Sequence, residues 1–142
     1  MALTLKEITL WRRSMTNTPG TLARVLEPLS GTDLTVVMAY RIPGQGSQAV
    51  VELFPVTGKR ATARAQASGL VPADVPALLV QGTNRAGIGF QTTTAFAEAG
   101  INLAFLVTQV IGTRFSSIYG FDSDADRGQA IQILKQKPKR KR

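Results

Sequence analysis

Apolar and polar positions recur along the chain in one order, written twice. Residues 16–34 read TNTPGTLARVLEPLSGTDL, and residues 83–103 read TNRAGIGFQTTTAFAEAGINL. Asn17 and Gly20 return as Asn84 and Gly87 at an offset of 67, and Gly31 and Asp33 return as Gly100 and Asn102 at 69. Each copy starts on an apolar, β-rich run, Ile8 to Trp11 and Leu78 to Val80. An Asn-x-x-Gly turn follows, in which Pro19 pre-sets φ and Gly20 relieves the steric limit. Leu22, Val25, Leu26 and Leu29, spaced three and four apart, predict a helix with one apolar face. Ile88, Ala95, Phe96 and Ala99 do the same in the second copy. Gly31 and Gly100 stand where a left-handed cap would end each helix.

A long strand then begins in each copy, Leu34 to Ile42 and Leu103 to Ile111. Pro43-Gly44-Gln45-Gly46 turns the first into Gln48–Phe54, and Gly112-Thr113 turns the second into Arg114–Phe121. Second helices are predicted over Gly58–Ser68 and over Asp124–Lys135, the latter with Ala130, Ile131 and Leu134 inward. The order is β-α-β-β-α, with a short fourth strand near Leu70-Val71 in the first half. Because β-α-β crossovers are right-handed, this order yields split antiparallel sheets with both helices on one face. The predicted fold is α+β, two ferredoxin-like β-α-β-β-α-β halves spanning 1–73 and 74–136, followed by a tail at 137–142. After Leu134 no apolar run remains. Either the second half lacks its fourth strand, or Ala2 to Leu5 complete an edge.

Composition removes most chemistry. The chain of 142 residues has no Cys and no His, which excludes disulfides, thiolate reactions, Cys/His zinc sites and imidazole acid–base catalysis. No catalytic residue, metal or cofactor is predicted, and the chain reads as a non-enzyme. Its net charge of +8 points to nucleic acid only until the charge is located. The last eight residues, Lys135 to Arg142, hold six of the 17 basic residues, and the remainder is close to neutral. No apolar run reaches the length of a membrane span, and MALTLKEITLWRR lacks a signal-peptide core. The expected location is the cytoplasm, away from membranes.

Three further motifs have structural explanations. Asp122, Asp124 and Asp126 open like a calcium loop, but Arg127 replaces the required Gly and Ile133 the bidentate Glu, so the acids read as a helix cap. Gly44-Gln45-Gly46-Ser47-Gln48-Ala49 fits a dinucleotide fingerprint, yet a strand follows where a helix is needed. The β-α-β-β-α order is shared with RNA-recognition domains. Arg114 and Phe121 keep the outer positions of their third-strand motif, while Ser116 and Ile118 stand where stacking rings belong.

The segment NTPGTLARVLEPLSGTDLTVV resembles the opening of an ACT domain, a small regulatory module that senses amino acids in metabolic enzymes. Asn17, Pro19, Gly20, Leu22, Leu29, Gly31 and Leu34 carry the resemblance, with Asp33 where Asn is usual. Asn84, Gly87, Ala99, Gly100, Ile101 and Asn102 carry it in the second copy, where Ala86 replaces the Pro. The likeness spans nearly the whole chain, as a tandem pair with no catalytic domain attached. It implies an allosteric regulator binding an amino acid at domain interfaces, modulating amino-acid metabolism. Physics at the turns agrees, since a helix N-terminus offers unpaired N–H groups to a carboxylate and Gly permits close approach. The candidate ligand-binding residues are Asn17, Thr18, Pro19, Gly20, Thr21 and Asp33, with Asn84, Arg85, Ala86, Gly87, Ile88 and Asn102. Asp33 or the Asn102 amide would hold the ligand's ammonium. Two other readings stay open: a nucleic-acid-binding module using the Lys137–Arg142 tail, and a ligand-free docking subunit of a biosynthetic enzyme. Leu103 to Ile111 is apolar at seven of nine positions, and Val37 and Ala39 interrupt the polar side of the earlier strand. An exposed face or edge of that kind calls for a partner, so a homodimer is expected.

Overall fold

The computed structural model describes residues 3–136, and the basic tail at 137–142 lies outside the described residues. The chain divides into two compact units, Thr9–Asp74 and a second one that joins the segment ending at Ile8 to residues 75–136. Both are α+β with four-stranded antiparallel sheets.

In the unit Thr9–Asp74 the strands are β2 (Trp11–Thr16), β3 (Val36–Arg41), β4 (Gln48–Phe54) and β5 (Val71–Pro72), side by side in the order β3-β4-β2-β5. Helix α1 (Thr21–Leu26) continues into a 3-10 turn, Glu27–Leu29, and α2 (Gly58–Ala67) follows β4. Alternation decides which face is covered. Trp11 and Met15 of β2 and Ala49, Val51 and Leu53 of β4 meet Val25, Leu29 and Ala65 from the helical elements, forming one core. Pro28 removes an N–H donor and tightens the end of the helix, so the chain leaves through the 3-10 turn. Gly31 therefore needs no left-handed φ, in contrast to Gly100 at +77°.

The other unit contains β1 (Thr4–Ile8), β6 (Ala77–Thr83), β7 (Leu103–Ile111) and β8 (Arg114–Phe121), ordered β1-β6-β8-β7, with helices α3 (Ile88–Glu98) and α4 (Asp124–Lys135). Leu78, Val80, Phe115, Tyr119 and Phe121 of the sheet pack on Phe96 and Ala130 of the helices. The Phe96 ring meets Tyr119 and Phe121 edge-on, with centroids 5.4 and 5.9 Å away, the geometry that aromatic quadrupoles favour.

The division expected after residue 73 falls at Asp74, and the first strand belongs with the later half. That half does have a fourth strand. β1 pairs with β6 from Thr4 opposite Gln81 to Ile8 opposite Ala77, the place β5 takes beside β2. Leu3 and Leu5 pack against the second core. Arg127 of α4 pairs with Glu7 at 3.2 Å and donates to the Ala77 carbonyl at 3.2 Å, tying helix to strands. Ile8 to Trp11, predicted as one strand, instead spans the end of β1 and the start of β2. The apolar run misleads because β2 itself, WRRSMT, is mostly polar.

Beginning the chain at Thr9 leaves β6 as an unpaired edge and strips Leu3 and Leu5 from the core. We expect the near-ultraviolet signal of Tyr119 to melt earlier in that variant. Fluorescence of Trp11, buried in the other core, should melt near the full-length midpoint, and coincident shifts of both probes would contradict this division.

Both tyrosines titrate above the ordinary phenol value of 10.0. Burial raises Tyr40, and so does the Glu52 carboxylate that accepts its proton at 3.0 Å, while Arg12 opposes them. Burial also raises Tyr119, partly offset by hydroxyls of Ser117 and Thr92. A raised folded value means the native chain keeps a proton that the unfolded chain releases. This stabilisation is complete below pH 10 and disappears as pH rises through the folded values. Absorbance at 295 nm should therefore titrate with midpoints above those of the urea-unfolded chain, and Tyr40→Phe should remove one of the two steps.

Candidate functional site

The two predicted turns have the same backbone construction. At the end of β2 the Asn17 N–H donates to the Ser47 carbonyl at 2.6 Å, and at the end of β6 the Asn84 N–H donates to the Thr113 carbonyl at 2.8 Å. Each turn is thus anchored to the hairpin of the neighbouring strands. Gly20 at φ +88° and Gly87 at φ +83° occupy the N-cap positions of α1 and α3. The left-handed region is where a Cβ is strained, which explains glycine at both. The first helical hydrogen bond of each runs back to that glycine, Arg24 to Gly20 at 3.0 Å and Gln91 to Gly87 at 2.9 Å. Neither helix start receives a side-chain cap among the described residues. The Thr21 N–H donates back to the Thr18 carbonyl at 3.2 Å and the Ile88 N–H to the Arg85 carbonyl at 3.3 Å, which leaves the next two N–H groups of each first turn to solvent or a ligand.

Around the first turn lies an open concavity of about 510 Å³, walled by β2, α1 and the C-terminal end of α2. Thr18 and Thr21 line it, their hydroxyls 2.6 Å apart. Arg24 donates to Thr21 Oγ1 at 3.3 Å, and Arg13 donates to the Ser68 carbonyl at 2.8 Å. Ser68 in turn donates its hydroxyl to the Val25 carbonyl at 2.7 Å. Sequence reasoning missed Arg13, Arg24 and Ser68. Alternation along β2 held the signal, because positions 11, 13 and 15 share one face and Trp11 and Met15 mark it as the covered one.

The structure keeps the rest of the predicted set apart. Asp33 follows the 3-10 turn, so Thr21–Leu29 separates it from Gly20. Asn102 lies beyond the C-terminal end of α3, an eleven-residue helix, about 16 Å long at 1.5 Å per residue. Its amide donates to Asp122 Oδ2 at 3.3 Å. Within one unit a single amino acid cannot have its carboxylate at the glycine turn and its ammonium at Asp33 or Asn102. Asn84, Arg85, Ala86 and Gly87 are exposed, and Ile88 turns toward the core.

The remaining motifs take structural roles. Ser123 caps α4, accepting from the Asp126 N–H at 3.1 Å, and Asp124 and Asp126 occupy its first turn. Gly44 and Gly46 adopt positive φ in the hairpin between β3 and β4. Phe115, Tyr119 and Phe121 of β8 all lie in the core beneath the helices, so none is available to stack on a base. No helix among the described residues is long and apolar enough to cross a membrane, and no group of acidic side chains there could hold a metal.

The same fold occurs in solved structures of other proteins. A Bacteroides thetaiotaomicron protein aligns over 92% of this chain and 88% of its own, with a TM-score of 0.75 and 10% identity. The ligand-free regulatory subunit of aspartate kinase from Thermus thermophilus aligns over 94% and 95%, with a TM-score of 0.60 and 16% identity. For the regulatory subunit of aspartate kinase from Thermus flavus the coverages are 95% and 98%, the TM-score 0.55 and the identity 15%. At such identities the likeness is one of fold alone: two ferredoxin-like α+β halves, each with a four-stranded antiparallel sheet. No known protein family and no curated protein matches the sequence.

Gly20→Ala and Gly87→Ala should each destabilise the chain by about 1–2 kcal/mol, the cost of an L-residue in the left-handed region. Open space surrounds the Gly87 position, so the loss there comes from the backbone alone. Gly87→Asn should cost less than Gly87→Ala in urea unfolding, and the reverse order would refute the strain account.

Proposed function

We propose that this chain is a non-catalytic regulatory protein of the cytoplasm that binds a free amino acid at its glycine turns and modulates an enzyme of amino-acid metabolism. The duplicated turn carries this reading. Two helix starts, each uncapped and each entered through a left-handed glycine, recur in a fold shared with regulatory subunits of aspartate kinase. Unpaired N–H groups and the positive end of the helix dipole suit a carboxylate there. Glycine lets that carboxylate reach the backbone. Asn17, Thr18, Pro19, Gly20 and Thr21 form the first such site, and Asn84, Arg85, Ala86, Gly87 and Ile88 the second.

The reading includes a homodimer. β3 and β7 are edge strands, and they expose Val37, Tyr40, Leu106, Val107, Val110 and Ile111. Long apolar edges of this kind are templates for pairing unless covered. A second copy is also what could bring Asp33 or Asn102 to the ammonium of a ligand seated at a glycine turn.

A thermal-shift screen of the twenty amino acids on the full chain tests the function. A ligand at 100 times its Kd should add about 2.7 kcal/mol to stability, a shift of several degrees. No shift at millimolar concentration would remove the sensing role. Light scattering should return twice the 15.2 kDa chain mass, and a monomer with and without ligand would remove the dimer.

A further inference from the structure

We infer that the concavity at the first glycine turn is a site for a small dianion, a dicarboxylate or a phosphate monoester, held between Arg13 and Arg24. The inference deepens the reading of that turn as a ligand site, and it adds the charge of the ligand.

Arg13 projects from the helix-covered face of β2, between the core residues Trp11 and Met15. A cation in such a place is costly unless its donors are met. Guanidinium has five N–H donors, and the Ser68 carbonyl takes one of them. Neither Arg13 nor Arg24 has a carboxylate partner among the described residues, and no Asp or Glu lines the concavity. Two positive charges therefore face one space without a counter-charge, with threonine hydroxyls beside them.

The repeat shows that the fold does not ask for these arginines. At the same offset of 67, Val80 stands for Arg13 and Gln91 for Arg24. Val80 is fully at home in the second core, on the same covered face of the corresponding strand. One copy thus solves the packing problem with a valine. The other places a guanidinium there and a second one in the lining of the same concavity. Planar forks of this kind bind carboxylate and phosphate through paired hydrogen bonds. A volume of about 510 Å³ lies within the range of small-ligand sites. An amino acid with a neutral side chain brings one carboxylate and would leave one of the two arginines without a counter-charge. A ligand with two anionic groups matches both arginines.

Isothermal titration of the full chain at low salt, with succinate, inorganic phosphate and alanine as probes, decides this. The wild-type chain should bind succinate, phosphate or both, and more tightly than alanine. Arg24→Gln, which copies the residue of the second repeat on an exposed helical position, should weaken that binding at least tenfold without changing the melting temperature. Arg13→Lys should weaken it while keeping the charge, because the fork is lost. The basic segment Lys137–Arg142 is present in every variant, so the difference reports the concavity. Succinate alone binding would identify a dicarboxylate site, and phosphate alone a phosphate site. Absence of binding by both at 100 times the protein concentration and up to ~10 mM, a Kd above which amounts to no useful affinity, would overturn the inference. So would unchanged binding in Arg24→Gln. Alanine binding that survives Arg24→Gln, with no response to either dianion, would overturn it while leaving the amino-acid reading intact.

Discussion

Antiparallel pairing of β1 with β6 joins the start of the chain to a sheet whose other strands begin at Ala77. Without it, the second core would lose Leu3 and Leu5 and β6 would present an unpaired edge. The unit Thr9–Asp74 is consequently an insertion between the first and second strands of the other unit's sheet. Each half then has the same four-strand order about its own first strand. One half draws its outer strand from downstream, as β5, and the other from upstream, as β1. Loop closure over so long an interval is entropically slow but adds little to the equilibrium cost, since that cost grows only with the logarithm of length.

With both sheets complete, the segments between the first strand and first helix of each half become rigidly placed turns. Asn17 and Asn84 fasten them to adjacent hairpins, and Gly20 and Gly87 set the angle at which the helices leave. The resulting geometry is duplicated, but its surroundings are not. Beside the first turn stand Arg13 and Arg24; the corresponding positions of the second are Val80 and Gln91. Duplication supplies a pair of equal backbone sites, and side-chain divergence gives each its own electrostatics.

The outer strands show the same economy of construction. β3 and β7 each follow the first helix of their half and lie at one edge of their sheet. The polar contacts of the first are internal, with Tyr40 reaching across to the buried Glu52. β7 bends at an irregularity between Leu103 and Phe105, where the Phe105 ring covers Gly120. Only a residue without a side chain leaves room for that ring, which places Gly120 among the packing determinants of the sheet.

Several features were determined by local sequence alone. The repeat, the two glycine turns, the ranges of β4, β7, β8 and α4, and the acidic start of α4 all follow from φ preferences, alternation and helix-end electrostatics, which act over a few residues. Tertiary structure decided the others, because each depends on which neighbour a residue meets. TLKEI becomes an outer strand only because β6 offers it a free edge. WRRSMT, mostly polar, is a central strand because Trp11 and Met15 find a core beneath α1 and α2. Gly31 loses its predicted role because Pro28 ends the helix in another way. Asp33 and Asn102 are near the glycine turns in sequence pattern, yet a helix length separates them in space. Arg13 reads as one more surface charge in the string of letters. It faces a concavity because strand alternation and a helix end from fifty-five residues later close around it, and no local rule contains that second partner.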